Sequence, residues 1–281
     1  MKRAATTTTT TAFPAPSLST TPTAPLLPLD QVPNQVPNQM PNQVPNQAAF
    51  PYRDWLAAKN ELETALRRGP CYGMVTGASG TGKTSLCHVL TAVLDDRQLL
   101  YLSASRVSLL GVVRFFAQVL RVVPRRSSIE TIKVLVDVIK DRATRPVLWI
   151  DEADRLPTAT LTELRSLVEA DPAPTPLLSL ILSGPPELRA QLEAPELFPL
   201  KRRLVVRAVL DGLRRDELDP FLGHRFGDAA RRVPASQKDE LFERTRGAPA
   251  LVHRVVAYAL GRTTKTLGDG ELREALDVAG L

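Results

Sequence analysis

The chain has 281 residues, 43% of them hydrophobic, and a net charge of +6, enough for one large or two small globular domains with a weak preference for acidic partners. Its two cysteines, Cys71 and Cys87, and its three histidines make neither a disulfide framework nor a zinc site, which points to a reducing, cytoplasmic setting. No apolar run approaches the about 18–20 residues that span a bilayer, and a threonine tract follows Met1-Lys2-Arg3 where a secretion signal would be apolar, so neither membrane insertion nor export is expected.

Residues 1–50 form a separate compositional zone. A run of Thr leads into a Pro-rich stretch and then four tetrapeptides, VPNQ, VPNQ, MPNQ and VPNQ, from Val32 to Gln47. Proline at every fourth position removes backbone donors and forbids a regular helix or central strand. The zone reads as a disordered tail or linker, with a docking peptide as the alternative.

From Tyr52 the pattern changes. Asp54 to Arg68 reads as a helix with Trp55, Leu56, Leu62 and Leu66 near helical spacing. Cys71 to Thr76 is a short apolar strand, followed by a Gly-rich turn and an apolar helix to about Leu94. Gln98 to Ser103 is a second strand, and helices follow at Ser108 to Arg121 and Ser128 to Arg142. The latter opens with a capping box, Ser127-x-x-Glu130, and Thr160-x-x-Glu163 marks another helix start. Pro146 to Ile150, Leu177 to Leu182 and Val205 to Val209 are the third, fourth and fifth strands. Short non-alternating strands between helices predict a doubly wound parallel α/β sheet over 51–210. Residues 211–281 read as helices only, at Arg214 to Phe226, Ser236 to Arg244, Pro249 to Gly261 and Gly270 to Ala279, forming a small lid.

Two motifs carry chemistry. Gly77-Ala78-Ser79-Gly80-Thr81-Gly82-Lys83-Thr84, with Ser85 after it, fits the phosphate-binding loop G-x-x-x-x-G-K-[ST]. Gly77, Gly80 and Gly82 allow tight turns that aim backbone N–H groups at phosphate oxygens, and the helix start near Lys83 adds its positive end. Lys83 would reach the β- and γ-phosphates of ATP, and Thr84 would offer a hydroxyl to Mg2+. The second motif is Val147-Leu-Trp-Ile-Asp151-Glu152-Ala-Asp154. A buried strand ends in Asp151, where a parallel sheet binds ligands, to hold Mg2+. Glu152 is placed to polarise the attacking water. Asp154 reads as a helix-start or solvent residue. The acidic pair favours a water-activating ATPase over a small-molecule kinase, for which no acceptor signature is present.

With these elements placed, the stretch from Phe50 to about Leu260 resembles the AAA+ ATPases, and more narrowly the group containing the secretion ATPase ExeA and the transposition helpers TniB, TnsC and MuB. VTGASGTGKTSL, LWIDEADRL (Leu148 to Leu156), LILSGPPELRAQL (Leu180 to Leu192), LKRRLVVRAVLDGLRRDEL (Leu200 to Leu218), Gly223-His224-Arg225-Phe226 and Gly247-Ala-Pro249 carry the resemblance, in family order. It implies a homo-oligomeric ring or filament in which Arg203, or Arg202 beside it, reaches the γ-phosphate of a neighbouring subunit. It implies double-stranded DNA and a transposase-like enzyme as partners; a secretion-type ATPase acting on proteins and a low-turnover nucleotide switch are the alternatives. Pro185 stands where the family has a polar sensor residue, with Ser183 a possible substitute. Ala250 stands where a sensor arginine is expected, with Arg254 one turn later. Lys and Arg exceed Asp and Glu by 16 to 12 over Lys201 to Leu281, against 18 to 17 over Arg53 to Leu200, which places the modest basic surplus C-terminally.

Overall fold

The structure is a computed structural model that describes residues 49–94, 97–104, 107–142, 145–168 and 176–281. The Thr/Pro-rich segment and its VPNQ repeats lie outside these residues. Phe50, at the edge of that zone, belongs to the folded part: its ring meets Phe221 edge-on at 5.5 Å.

Five parallel strands form one sheet in the order β2-β3-β4-β1-β5. They are β1 (Tyr72–Gly77), β2 (Arg97–Ser103), β3 (Arg145–Asp151), β4 (Ser179–Gly184) and β5 (Leu204–Leu210). Every residue of β1 and β4 is buried, as expected for strands covered on both faces. β5 departs from the expected pattern. It lies at an edge and alternates buried with exposed residues, leaving Val205, Arg207 and Val209 on a bare face. The fourth strand also begins two residues later than Leu177 and runs to Gly184, which brings Ser183 inside the sheet.

Helices cover the two faces with separate cores. One face packs Val75, Val147, Trp149 and Ile181 beneath α1 (Arg53–Arg68) and α2 (Lys83–Val93). The buried stripe of α1 is Trp55, Ala58, Leu62 and Leu66, and Leu56 faces solvent instead. The other face packs Met74, Leu148, Ile150 and Leu182 beneath α3 (Leu109–Val119), α4 (Ser128–Lys140), α5 (Thr158–Val168) and α6 (Pro186–Gln191). Ser127 caps α4 by accepting from the Glu130 amide, as its sequence suggests. Thr160 does not cap: α5 starts at Thr158, so Thr160 sits buried inside the first turn. A short α7 (Phe198–Lys201) leads into β5.

After β5 the described chain is helical: α8 (Leu218–Phe226), α9 (Ala235–Thr245), α10 (Pro249–Arg262) and α11 (Asp269–Ala279). Val252, Val255, Leu272 and Leu276 of these helices join the same buried cluster as α1 and α2. Their approach to the sheet is fixed by one tight crossing. Leu213 N–H donates to Gly247 O at 2.7 Å, and a Cβ on Gly247 would lie 2.2 Å from Leu213 O. Only glycine allows the two backbones to come this close. The crossing sets the start of α10 against the turn between β1 and α2.

Candidate functional site

The turn after β1 is held from three sides. Gly80 and Gly82 take positive φ, 83° and 102°, which side chains resist. Gly77 is required for space rather than for a turn: a Cβ there would meet Leu210 O at 2.5 Å and Thr81 Oγ1 at 2.7 Å. The carbonyls of the loop are engaged by the surrounding protein. Tyr52 OH donates to Thr81 O at 2.8 Å, Trp55 Nε1 to Gly82 O at 3.3 Å, and the Ala250 amide to Gly80 O at 3.1 Å. Lys83 Nζ donates to Gly77 O at 2.6 Å and Ala78 O at 3.0 Å. Ala78 and Ser79 are exposed at the loop tip, and α2 begins at Lys83 with Thr84 and Ser85 in its first turn. With the carbonyls so occupied, the loop presents amides and a helix N-terminus, the arrangement that binds phosphate.

Burial pulls the Lys83 pKa below the usual lysine value, and the carboxylates of Asp151, Asp154 and Glu152 act in the opposite sense. An ammonium between the glycine-rich turn and three acids is placed to neutralise further negative charge.

Asp151 ends β3 and is 6% exposed. Four donors converge on its carboxylate. Oδ1 accepts from Ser183 Oγ at 2.7 Å and from the Glu152 amide at 3.0 Å. Oδ2 accepts from Tyr101 OH at 2.8 Å and Thr84 Oγ1 at 3.1 Å. Ser183 is in turn held by Trp149 Nε1 at 2.7 Å. Ser183 thus supplies a polar group at the end of β4, whereas Pro185 becomes the cap of α6. Burial and the charge of Asp151 push the Tyr101 pKa well above its usual value, so its hydroxyl keeps its proton and donates. Sequence reasoning missed Tyr101. Its signal was faint: one tyrosine among the leucines of β2, two residues from the end, which register sets beside Trp149.

Thr84 and Asp151 pair two oxygen donors at the junction of α2 and β3, a donor set that suits a hard divalent cation. Glu152 follows in the left-handed region, φ 54° and ψ 38°, where a non-glycine residue stores strain. Its carboxylate pairs with Arg155 Nη1 at 2.9 Å and is 42% exposed. Asp154 is half-buried rather than free in solvent, and its Oδ1 is buried without a partner, against Gly184.

Arg202 and Arg203 are not in this cluster. They stand exposed on the turn before β5, with the Arg202 guanidinium 5.8 Å from the Phe198 ring centre. Leu204 pairs with Tyr72 at the opposite end of the sheet from the loop, roughly 20 Å away at about 3.3 Å per strand residue. Arg254 does not point to the loop either: its Nη2 donates to Ala279 O at the end of α11.

Both cysteines are free and buried, and burial pushes the Cys71 thiol up to about 11, so neither is a reactive thiolate. Among the described residues no helix is long and apolar enough to cross a membrane.

Residues 67–192 match the AAA domain family. General secretion pathway protein A of Aeromonas hydrophila is 25% identical over 237 residues. That alignment covers 78% of this chain but 43% of the relative, so the chain spans less than half of that protein's length. Among solved structures, Cdc6p from Pyrobaculum aerophilum superposes with a TM-score of 0.64 at 18% identity, over 84% of this chain and 68% of that one. The Aeropyrum pernix ORC1 protein in complex with DNA gives 0.58 at 17% identity, over 85% and 68%. Residues 67–192 are thus similar to the AAA domain family, and the chain shares the parallel five-stranded α/β fold of these solved structures.

Proposed function

We propose that this chain binds and hydrolyses ATP and does so as an oligomer on duplex DNA. The observation that carries the ATPase reading is the contact of Thr84 with Asp151 beside Lys83. In this reading residues 77–85 cradle the phosphates and Thr84 and Asp151 hold Mg2+. The ion would neutralise phosphate charge. Glu152 polarises the attacking water once Arg155 releases its carboxylate, and the strained backbone keeps that side chain at the strand end. Residues 51–210 act as the ATPase domain and 211–281 as a lid whose helix α10 closes on Gly80. Arg203, and Arg202 beside it, are too far along the sheet to serve their own P-loop, so their place is the site of a neighbouring subunit.

The DNA part rests on charge. From Arg97 to Ile129 the chain has six arginines and no Asp or Glu, a stretch more one-sided than the C-terminal region. Arg114 and Gln118 are exposed one turn apart on α3, and Arg121, Arg125 and Arg126 are exposed on the turn that follows. Among the described residues, Arg114, Arg121, Arg125 and Arg126 form no ion pair with a carboxylate. The turn is rigid: the buried Thr131 hydroxyl accepts from Arg125 N–H at 2.9 Å, and the Val122 amide donates to Ala117 O at 2.7 Å. Exposed guanidiniums on a fixed turn, with no acid among them, suit a phosphate backbone. A transposition helper, switched by a transposase-like partner, is the narrower form of this reading. The likeness to a secretion-pathway protein favours a second reading, an ATPase acting on protein partners.

Duplex binding across a salt series, with and without ATP, tests the choice. Wild type should bind in a salt-dependent way, and Arg125→Ala/Arg126→Ala should lower the slope of log K against log salt by about two. Binding that is absent, or indifferent to both arginines, would leave the protein-partner reading.

A further inference from the structure

An ionised carboxylate offers about four acceptor positions, two on each oxygen. In Asp151 protein donors fill them all: Ser183 and the Glu152 amide on Oδ1, Tyr101 and Thr84 on Oδ2. The inference rests on the Mg2+–nucleotide reading of this site. Mg2+ keeps several of its waters when a protein binds it through few ligands. Those waters are donors, and next to Asp151 they need an acceptor position, so one of the present donors must yield.

Three of the four are poorly placed to do so. The Glu152 amide belongs to the adjoining residue, whose backbone is fixed at φ 54°. Ser183 is fully buried and clamped by Trp149. Thr84 lies in the first turn of α2 and is itself on the cation side. Tyr101 differs from all of them. It is half-buried, and it stands on β2, the edge strand, which is tied to the sheet only through β3. Its hydroxyl shares Asp151 Oδ2 with that of Thr84, so it stands beside the two residues that would meet the cation. A phenol can swing about its side-chain torsions without moving the strand.

We propose that the Tyr101 hydroxyl occupies, on Asp151 Oδ2, the acceptor position of a Mg2+-bound water, and that binding of Mg2+ with nucleotide displaces it. Tyr101 is a positioning residue that acts through Asp151. It holds the carboxylate in place before the cation arrives and competes with the cation's water afterwards. It therefore sets how strongly nucleotide binding depends on Mg2+.

The test is a binding cycle that needs no turnover. A fluorescent, non-hydrolysable ATP analogue is titrated into the full chain in EDTA and in saturating Mg2+, for wild type, Tyr101→Phe and Thr84→Val. Tyr101→Phe keeps the ring and removes only the competing hydroxyl. It should leave the affinity in EDTA unchanged and enlarge the gain from Mg2+ roughly three- to tenfold, the effect of one hydrogen bond. Thr84→Val, which removes a cation ligand, should shrink that gain. An unchanged or smaller Mg2+ gain in Tyr101→Phe overturns the proposal, the latter making the hydroxyl a support of the cation rather than its competitor. A fall in EDTA affinity would mark a merely structural role and overturn it too. If wild type binds the analogue in neither buffer, the nucleotide reading fails first, and that result is distinct from a bound nucleotide with an unaltered Mg2+ response.

Discussion

At the carboxyl ends of β3 and β4, Thr84, Tyr101 and Ser183 converge by hydrogen bonds on the buried Asp151, with Lys83 beside them on the loop carbonyls, whereas at the amino end of β5 Arg202 and Arg203 stand exposed on a turn. In the first region the contacts lie within one chain. The four contacts on the Asp151 carboxylate run from 2.7 to 3.1 Å. The second has a bare sheet face beside it, with Val205 68% and Phe198 53% exposed. In the proposed reading this region acts against the surface of a neighbouring subunit. Substitutions at the first end should thus act in every subunit at any concentration, and those at the second only where subunits meet.

Glu152→Gln gives the largest expected effect. It keeps the shape of the side chain and removes the carboxylate that polarises water, so phosphate release should fall on the order of 10²–10⁴-fold with ATP affinity nearly unchanged. Full activity in this variant would remove Glu152 as the base. Lys83→Ala comes next. It should weaken ATP binding on the order of 10²-fold, as for loss of one partner of a desolvated charged pair, while thermal unfolding stays close to wild type. Unaltered nucleotide affinity there would break the assignment of the loop.

Arg203→Ala probes the other end. Its ATP affinity should match wild type while turnover falls, and mixing it with Glu152→Gln should restore part of the activity, because some interfaces pair an intact Glu152 with an intact Arg203. Phosphate release from each variant and from the mixture, above the assembly concentration, measures this. No recovery in a mixture shown to co-assemble would place Arg203 outside the neighbour's site.

Two smaller effects sharpen the contrast. Gly77→Ala should cost about 1–3 kcal/mol of stability and weaken nucleotide binding, since its Cβ would press on Leu210 O and Thr81 Oγ1. A variant as stable as wild type would show that the loop can shift freely. Arg254→Ala should cost only about 0.5 kcal/mol, through the lost cap on α11, and leave turnover unchanged. A clear loss of turnover would return Arg254 to the nucleotide site.

Much of this was legible in the residues, for identifiable reasons. The loop from Gly77 to Thr84 announces itself because few residue types tolerate its backbone. The strand before Asp151 is legible because burial on both faces demands a continuous apolar run. Less was legible where an element's role depends on its neighbours. β5 reads like the other strands, yet its edge position leaves half of it in solvent. Leu56 is apolar and adjoins the stripe of α1, yet it lies about 100° round the helix from Trp55 and faces solvent, while Ala58 is buried. Thr160 has the right spacing for a cap, but α5 had already begun at Thr158. The basic stripe at Arg114 to Arg126 escaped a half-against-half charge count because acids elsewhere in the α/β region cancel it.

The sequence by itself determined the phosphate loop, the acidic strand end, the parallel α/β class and the helical ending, because each depends on local backbone limits or on the period of apolar residues along one segment. Tertiary structure alone decided which groups surround Asp151. Tyr101, Ser183 and Thr84 come from three different elements, brought together by the strand order β2-β3-β4-β1 and by α2 leaving β1. It also decided that α10 rests on Gly80 and that Arg203 lies far from its own loop. Hydrogen bonds between residues 67 or 32 positions apart leave no periodic trace in a chain, so only the folded geometry could reveal them.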